Sequence, residues 1–452
     1  MQYSRPMARA SKIPGPSRWR LLRDLPRIRR NMLDYLVELA AQHGDTVLLP
    51  LRHPTYLLRD PADIKHVLVT NGINYHKAGG LRVGKHLLGE GLISSEEPLH
   101  GRQRRLLQPM FHKQVIAGFA DLMTRSTGQH IGGWKAGAVI DLALEMMDLT
   151  ISIGSQALFG FDLHREGREL GLAFAEAQRL ITVRQRRLQL PLWVPTLLNI
   201  RYRRVLAQID SATARIIASR RAVPEADRPG DLLTMMLAVR YEDGAPMPDK
   251  QLRDEMITLI LAGHETVANT LNWTWYLLSQ HPDVEAELVA EWKAVLGGRS
   301  PVLSDLPNLR FTEMVLAEAM RLYPPAWTLA RQAVAADTLP GGLKLRAKDE
   351  VLLMQYVSHR NPEFFPDPLK FDPRRFAPEN RDKIPSFAYY PFGGGSRYCL
   401  GEAFARLEAA IVLATIGQRF QMKLLPGHPV ALEPLITLRL KFGLKMELAA
   451  RS

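Results

Sequence analysis

Across 452 residues and 51.0 kDa the sequence contains a single cysteine, Cys399. That excludes an intrachain disulfide framework and any cysteine-rich zinc site, and it suits a reducing cytoplasm. No apolar run approaches the ~18 residues that a membrane-spanning helix needs. Internal repeats and low-complexity linkers are also missing, so the chain does not read as an array of small modules.

What is present is the composition of a soluble globular protein, 46% hydrophobic and 23% charged, with ample volume for a buried core. The net charge of +13 raises the question of nucleic acid. The basic residues are scattered in small clusters such as Arg27-Ile28-Arg29-Arg30 and Arg184-Gln185-Arg186-Arg187, without an interleaved aromatic platform or a nucleic-acid motif. A solvated basic surface is the plain reading, and an acidic partner protein is the sharper one. The amino terminus carries Arg5, Arg9, Lys12, Arg18 and Arg20, too few residues before Ile13-Pro14-Gly15-Pro16 for a convincing targeting segment.

Thr46 to Arg59, rich in Val, Leu and Tyr and broken at His53-Pro54, predicts a β-hairpin. A short helix from Pro61 to Thr70 follows, then a glycine-rich loop from Asn71 to Pro98 with brief helical turns. From there to Leu296 the pattern is mostly helical. A helix over Leu309 to Leu322 stops at Tyr323-Pro324-Pro325, since a residue before proline disfavours the α region. Short strands and Pro-rich loops come next, for example Glu350 to Met354 and Asn361 to Phe376, and a last helix runs from Glu402 to Gln418. The fold class is therefore mainly α with a smaller β portion.

The longest predicted helix starts at Asp249, read as an N-cap, and ends at His281-Pro282. Leu252, Met256, Leu259, Ile260, Gly263, Val267, Leu271, Trp275 and Leu278 keep one apolar stripe along it. Midway lies Ala262-Gly263-His264-Glu265-Thr266. A glycine there costs up to ~1 kcal/mol relative to alanine, so it needs a reason: tight packing, or a groove beside the helix. A threonine hydroxyl in such a helix can bond the carbonyl four residues back.

Cys399 sits in Phe392-Gly393-Gly394-Gly395-Ser396-Arg397-Tyr398-Cys399-Leu400-Gly401. Glycine lets the backbone turn tightly and approach another body closely, and one thiolate on such a loop suits axial ligation of a large planar cofactor. The stretch resembles the haem-thiolate signature of the cytochrome P450 superfamily, Phe-x-x-Gly-x-Arg-x-Cys-x-Gly, at every fixed position. Ala262 to Thr266 resembles that family's oxygen-binding segment, with Val267 where a second threonine is frequent. Glu318 and Arg321, three apart on one helix face, together with Phe371-Asp372-Pro373-Arg374-Arg375-Phe376, resemble two further family segments. His100 and Arg104, at a four-residue step, resemble a third, and Arg331 matches another position.

The resemblance covers almost the whole chain and implies one haem domain over 1–452 with no fused reductase. It implies the P450 fold, a triangular prism of helices around a buried haem b, iron protoporphyrin IX. Cys399 would be the metal ligand. Phe392, Gly393 and Gly401 would line the cofactor from the cysteine loop, with His100, Arg104, Arg331 and Arg397, the last from the cysteine loop, on its propionates. Thr266 would hydrogen-bond the dioxygen substrate and Glu265 would help deliver protons from solvent, while His264 has no catalytic part. A buried Glu318–Arg321–Arg375 network would lock the cysteine loop in place.

The implied activity is monooxygenation of a hydrophobic substrate, such as a fatty acid, terpenoid or steroid, by a cytoplasmic monomer. Asn71 to Ile93, Leu188 to Leu198, Leu259 to Ala262 and Ala326 to Ala330 are apolar enough to line its pocket. The Leu188–Leu198 run reads as a mobile lid, with contact to a membrane surface as the alternative. Electrons would come from a ferredoxin or flavodoxin with its reductase. Arg102, Arg105, Lys113 and Arg406 would dock that acidic donor. A peroxygenase, which needs no acid–alcohol pair, and a non-catalytic haem sensor are the competing readings.

Overall fold

The computed structural model describes residues 13–51, 53–78, 81–161, 168–185 and 190–451. Arg5, Arg9, Lys12, Arg186, Arg187 and Leu188, named above, lie outside them. The chain divides into two compact units. One comprises Met1–Ala78, Thr328–Leu369 and Lys383–Arg397, and the other Gly79–Trp327, Lys370–Asp382 and Tyr398–Ser452.

The smaller unit is built on a five-stranded sheet. The predicted hairpin forms as Thr46–Pro50 antiparallel to Pro54–Leu58, and its second strand runs parallel to Glu350–Leu353. Leu329–Ala333 and Tyr75–Lys77 complete the sheet. The helix predicted from Pro61 is α-helical to Lys65 and then widens into a π-turn, His66–Thr70, closed by the Asn71 amide on the His66 carbonyl at 2.9 Å. Leu58, Ile64, Val67, Leu68, Val351, Leu353 and Tyr390 bury the sheet's inner face.

The loop expected over Asn71 to Pro98 holds more order than its glycines suggest. It contains the strand Tyr75–Lys77 and an eight-residue helix, Leu81–Leu88. Edge pairing of Tyr75–Lys77 with Leu329–Ala333, a partner more than 250 residues away, fixes the strand, and no local pattern announces such pairing.

In the larger unit, the helix Asp249–Gln280 spans 32 residues, about 48 Å at 1.5 Å per residue. Asp249 is its first helical residue and not its cap; Pro248 precedes it, and Asp249 instead pairs with Arg221 at 2.6 Å. Seven of the nine predicted stripe residues, Leu252, Met256, Ile260, Val267, Leu271, Trp275 and Leu278, are buried. So are Gln251, Asp254, Glu255, Thr258, His264, Glu265, Asn269, Thr270, Asn272 and Thr274, which means the helix is covered on nearly every side. One-sided amphipathicity therefore understates its burial. Two buried carboxylates at its start take backbone amides of the loop at 89–92, far earlier in the chain: Asp254 from Glu90 and Glu255 from Leu92, each at 2.9 Å.

The helix Arg310–Leu322 carries the expected Glu318–Arg321 pair, bidentate at 2.7 Å on both arms, with neither residue exposed. Glu318 also accepts the Asp372 amide at 3.0 Å and faces Arg375 at 3.5 Å, and Arg321 donates to the Lys370 carbonyl at 3.1 Å. These bonds fasten residues 370–375 to the helix rather than the cysteine loop itself. A lone buried guanidinium is far costlier than a paired one, so Glu318→Gln is expected to lower stability by about 3–5 kcal/mol. The midpoint of thermal unfolding of the holoprotein checks this; a loss under about 1 kcal/mol would mean that the pair is not buried as described.

Candidate active site

The cysteine loop is shaped by its glycines. In the smaller unit Gly393 and Gly395 have φ of +75° and +66°, which L side chains rarely adopt. A Cβ at Gly395 would stand 1.9 Å from the Leu68 carbonyl oxygen, so the loop can lie on the His66–Thr70 turn only with glycine there. Phe392, Gly393 and Arg397 belong to this unit and are half-buried, as does Arg331, buried on the strand Leu329–Ala333 with Nη1 on the Ala330 carbonyl at 3.1 Å.

Tyr398, Cys399 and Gly401 belong to the larger unit and lead into the helix Glu402–Gly417. Cys399 is exposed, yet protein crowds the sulfur closely enough that burial, with Glu402 adding to it, pushes the thiol up to about 11 against the Gly401 amide and the Arg104 charge. Arg104, on the helix Leu99–Leu107, donates from Nη1 to the Tyr398 carbonyl at 2.7 Å. His100, on the same helix face, is buried with Nδ1 3.1 Å from Glu97.

Halfway along the long helix, Thr266 Oγ1 donates to the Ala262 carbonyl at 2.8 Å, the back-bond its position predicts. Thr270 and Thr274 repeat it at 2.9 and 2.7 Å. With its one proton committed, the Thr266 hydroxyl has lone pairs to offer and acts as an acceptor toward a neighbouring group. A Cβ at Gly263 would meet no atom within 4 Å, so open space and not tight packing accounts for that glycine. His264 is buried, with Nδ1 on the Ile260 carbonyl at 2.6 Å and its ring edge-on to Phe174, a structural place.

Glu265 is the most heavily bonded group in the region. Its Oε1 accepts from Thr437 and from Arg439, and its Oε2 from Gln178 at 3.1 Å. Burial pushes its carboxyl up, but the Arg439 hydrogen bond and charge, with Thr437 and His264, outweigh it and hold the group below the ordinary carboxylate range. Thr437 also accepts from Asn269 at 3.1 Å. The two partners sit two residues apart at the end of the hairpin Leu432–Pro434 and Leu438–Leu440, where the strand period turns both to one side. The hairpin is further fastened by Trp273 Nε1 on the Leu438 carbonyl at 3.1 Å and Trp327 Nε1 on the Leu435 carbonyl at 2.9 Å. None of these partners stands out in the sequence; the only trace is an arginine alternating with leucines in Leu438-Arg439-Leu440.

The docking cations are largely spoken for. Arg102 lies over the Tyr241 ring at 3.7 Å and 3.4 Å from Asp243, Arg105 pairs with Glu242 at 3.1 Å, and Arg406 with Glu402 at 2.9 Å and Glu313 at 3.2 Å. The turn around Tyr241–Asp243, distant in sequence, sets two acidic side chains on the face expected to receive an acidic donor. Lys113 remains exposed. The described part of the apolar loop, 190–196, is braced: Arg184 donates to the Leu190 carbonyl at 3.2 Å, and Asn199 to the Pro191 and Val194 carbonyls at 2.9 and 3.0 Å.

Among the described residues no group of three or more His, Cys, Asp or Glu is placed to hold a bare metal ion. A lone thiol can hold a metal that brings its other ligands with it. The residues fit a haem: Cys399 is an exposed residue, and a Cβ at Gly401, like one at Gly263, would meet nothing within 4 Å. Together these features suit a haem held by a thiolate.

Comparison with known proteins gives the family. The cytochrome P450 family model matches residues 13–444. The chain is 38% identical over 420 residues to cyclooctatin synthase of Streptomyces melanosporofaciens, covering 90% of this chain and 89% of that one. It is 34% identical to cyclooctat-9-en-7-ol 5-monooxygenase of the same organism (88% and 86% covered) and 32% identical to pentalenene oxygenase of Streptomyces avermitilis (94% of each). The chain belongs to the cytochrome P450 family and is a haem-thiolate monooxygenase, which puts one atom of O2 into a hydrophobic organic substrate with electrons from a redox partner.

Removing the cation from Glu265 tests the geometry. Arg439→Met leaves a buried carboxylate unpaired and is expected to cost about 3–5 kcal/mol at neutral pH, most of which Glu265→Gln in the same chain restores. The signs also differ. In the wild type the depressed pKa gives a stabilisation that is complete above the unfolded value and lost only as pH falls through the lower folded one. In Arg439→Met, burial is opposed by the Thr437 hydrogen bond and the His264 charge but no longer by a guanidinium, so the pKa moves up and stability returns as pH falls through that higher value. Thermal midpoints of the three variants against pH measure both effects, and parallel curves for wild type and Arg439→Met would contradict the ion pair.

Proposed function

We propose that this enzyme hydroxylates or otherwise oxygenates a cyclic terpenoid, with one haem domain formed over the family-matched residues. The three named relatives support that substrate class: two carry terpenoid names of the cyclooctatin group and one that of pentalenene. The observation that carries the catalytic assignment is the presentation of Cys399 from a glycine-turned loop in the chain that also sets Gly263 and Thr266 at a helix midpoint with open space beside them.

In this reading Cys399 ligates the iron of haem b, which supplies the oxygen-activating chemistry when bound. Phe392, Gly393 and Gly401 would hold its ring, and His100, Arg104, Arg331 and Arg397 would serve its propionates. The balance is R–H + O2 + two electrons + two protons giving R–OH and water, so the chain must bring two protons to one place without flooding it. Thr266 accepts a hydrogen bond there and orients the donor. Glu265, held as an anion by Arg439, serves as a fixed charge that draws protons inward and passes them once it shifts off that partner. Half-buried Leu259, Ala262, Ala326 and Trp327 supply apolar walls that orient the substrate. The electron donor is a ferredoxin or flavodoxin, approaching a face whose remaining free cation of those named is Lys113. The chain works as a cytoplasmic monomer.

Reduced holoenzyme under carbon monoxide is expected to show the strongly red-shifted Soret band of thiolate ligation, and Cys399→Ala to lose it; a variant keeping the band would remove Cys399 as ligand. Supplied with a surrogate ferredoxin, its reductase and a panel of cyclic terpenes, the enzyme should place one ¹⁸O atom from labelled O2 in each product. Turnover with hydrogen peroxide but not with O2 and reductant would favour the peroxygenase reading instead. Thr266→Val should keep consuming reductant while product per electron pair falls at least about tenfold and peroxide rises. Unchanged coupling would take Thr266 out of proton management.

A further inference from the structure

The segment Ser17–Arg30 forms two short helices, Arg18–Arg23 and Leu25–Arg30, and neither buries a single residue. Three polar fastenings hold it to the following helix, Met32–His43. Tyr35 donates to Asp24 at 3.2 Å, Arg20 to Gln42 at 2.7 Å, and Arg27 pairs with Glu38. Ser17 caps the first helix through the Arg20 amide at 3.2 Å. The segment is thus ordered by its polar side, which leaves the rest of it outward.

What faces outward combines two kinds of side chain. Trp19 is 82% exposed, Leu22 60% and Leu25 37%, so among the described residues large apolar groups stand partly or largely open to water here. Around them stand Arg18, Arg20, Arg23, Arg27, Arg29 and Arg30 against one acid, Asp24. Among the described residues Arg18, Arg29 and Arg30 have no carboxylate partner, and Arg23 is 76% exposed beside Asp24. A purely solubilising face would not hold a tryptophan and two leucines out. A polyanion such as nucleic acid would meet the arginines but leave the leucines wet, and an acidic protein would leave most of the charge in excess.

We propose that Ser17–Arg30 docks the enzyme on an anionic phospholipid surface, with Trp19, Leu22 and Leu25 entering the headgroup boundary and the arginines meeting lipid phosphates. Tryptophan is favoured at that boundary, and each basic residue near an anionic leaflet adds to the attraction. No described helix is long and apolar enough to cross a membrane, so the contact is one of lying on the surface. It places the enzyme where a water-insoluble substrate collects, but does not depend on which substrate that is.

The test is co-sedimentation of the full-length holoenzyme with vesicles of phosphatidylglycerol and phosphatidylcholine, against vesicles of phosphatidylcholine alone. Binding to the anionic vesicles should be at least about tenfold stronger and should weaken as salt is raised. Arg18→Glu with Arg29→Glu and Arg30→Glu should reduce it more than about tenfold, and Trp19→Ser with Leu22→Ser should reduce it comparably. These side chains are exposed, so the absorbance spectrum and thermal midpoint should not change. The other exposed apolar pair, Trp193 at 78% and Leu197 at 88%, provides the counter-test. Four outcomes would overturn the proposal: no vesicle binding; binding untouched by both sets of variants; loss on Trp193→Ser but not on the Trp19 pair; or equal binding to single-stranded RNA that ignores Trp19 and Leu22.

Discussion

A helix covered on nearly every side cannot send its polar side chains to water, and this constraint organises the larger unit. Gln251, Asp254, Glu255, His264, Glu265, Asn269 and the threonines of Asp249–Gln280 are all enclosed, and each that hydrogen-bonds does so to a neighbouring element or to its own backbone. The loop at 89–92 is held by amides given to Asp254 and Glu255, and the Leu432–Leu440 hairpin by Glu265, Asn269 and Trp273. Satisfying the helix and building the site are one process, because a buried polar group without a partner is costly.

The same logic separates Thr266 from Glu265, adjacent residues turned about 100° apart on the helix. Thr266 spends its proton on its own backbone and stays on the side where Gly263 leaves room. Glu265 turns into protein and is fixed by donors from two other elements. An acid and an alcohol that read as one unit in the sequence are thus held by different parts of the structure.

The cysteine loop, the Thr46–Leu58 hairpin, the long helix and the Glu318–Arg321 pair were legible because local rules dictate them. Glycines at positive φ, a proline-broken apolar alternation, apolar spacing and a three-residue step each carry their own signal. What escaped was non-local. Tyr75–Lys77 is a strand only because Leu329–Ala333 lies beside it. Arg439, Thr437 and Gln178 matter only because they converge on a carboxylate from far along the chain. Arg102 and Arg105 looked like free surface charge until Asp243 and Glu242 were found beside them. Composition shows that charges exist; topology decides which of them remain available.

The hairpin Leu432–Leu440 has a further property that follows from its pairing. Side chains alternate along a strand, so Thr437 and Arg439 face Glu265 in one register only. A slip of one residue would present Leu438 and Leu440 to the carboxylate and turn its hydroxyl and cation away. Short two-stranded ribbons are only marginally stable by themselves. Here a buried negative charge acts as a ratchet tooth, and the ribbon's alignment is set by electrostatics as much as by its own ladder of hydrogen bonds.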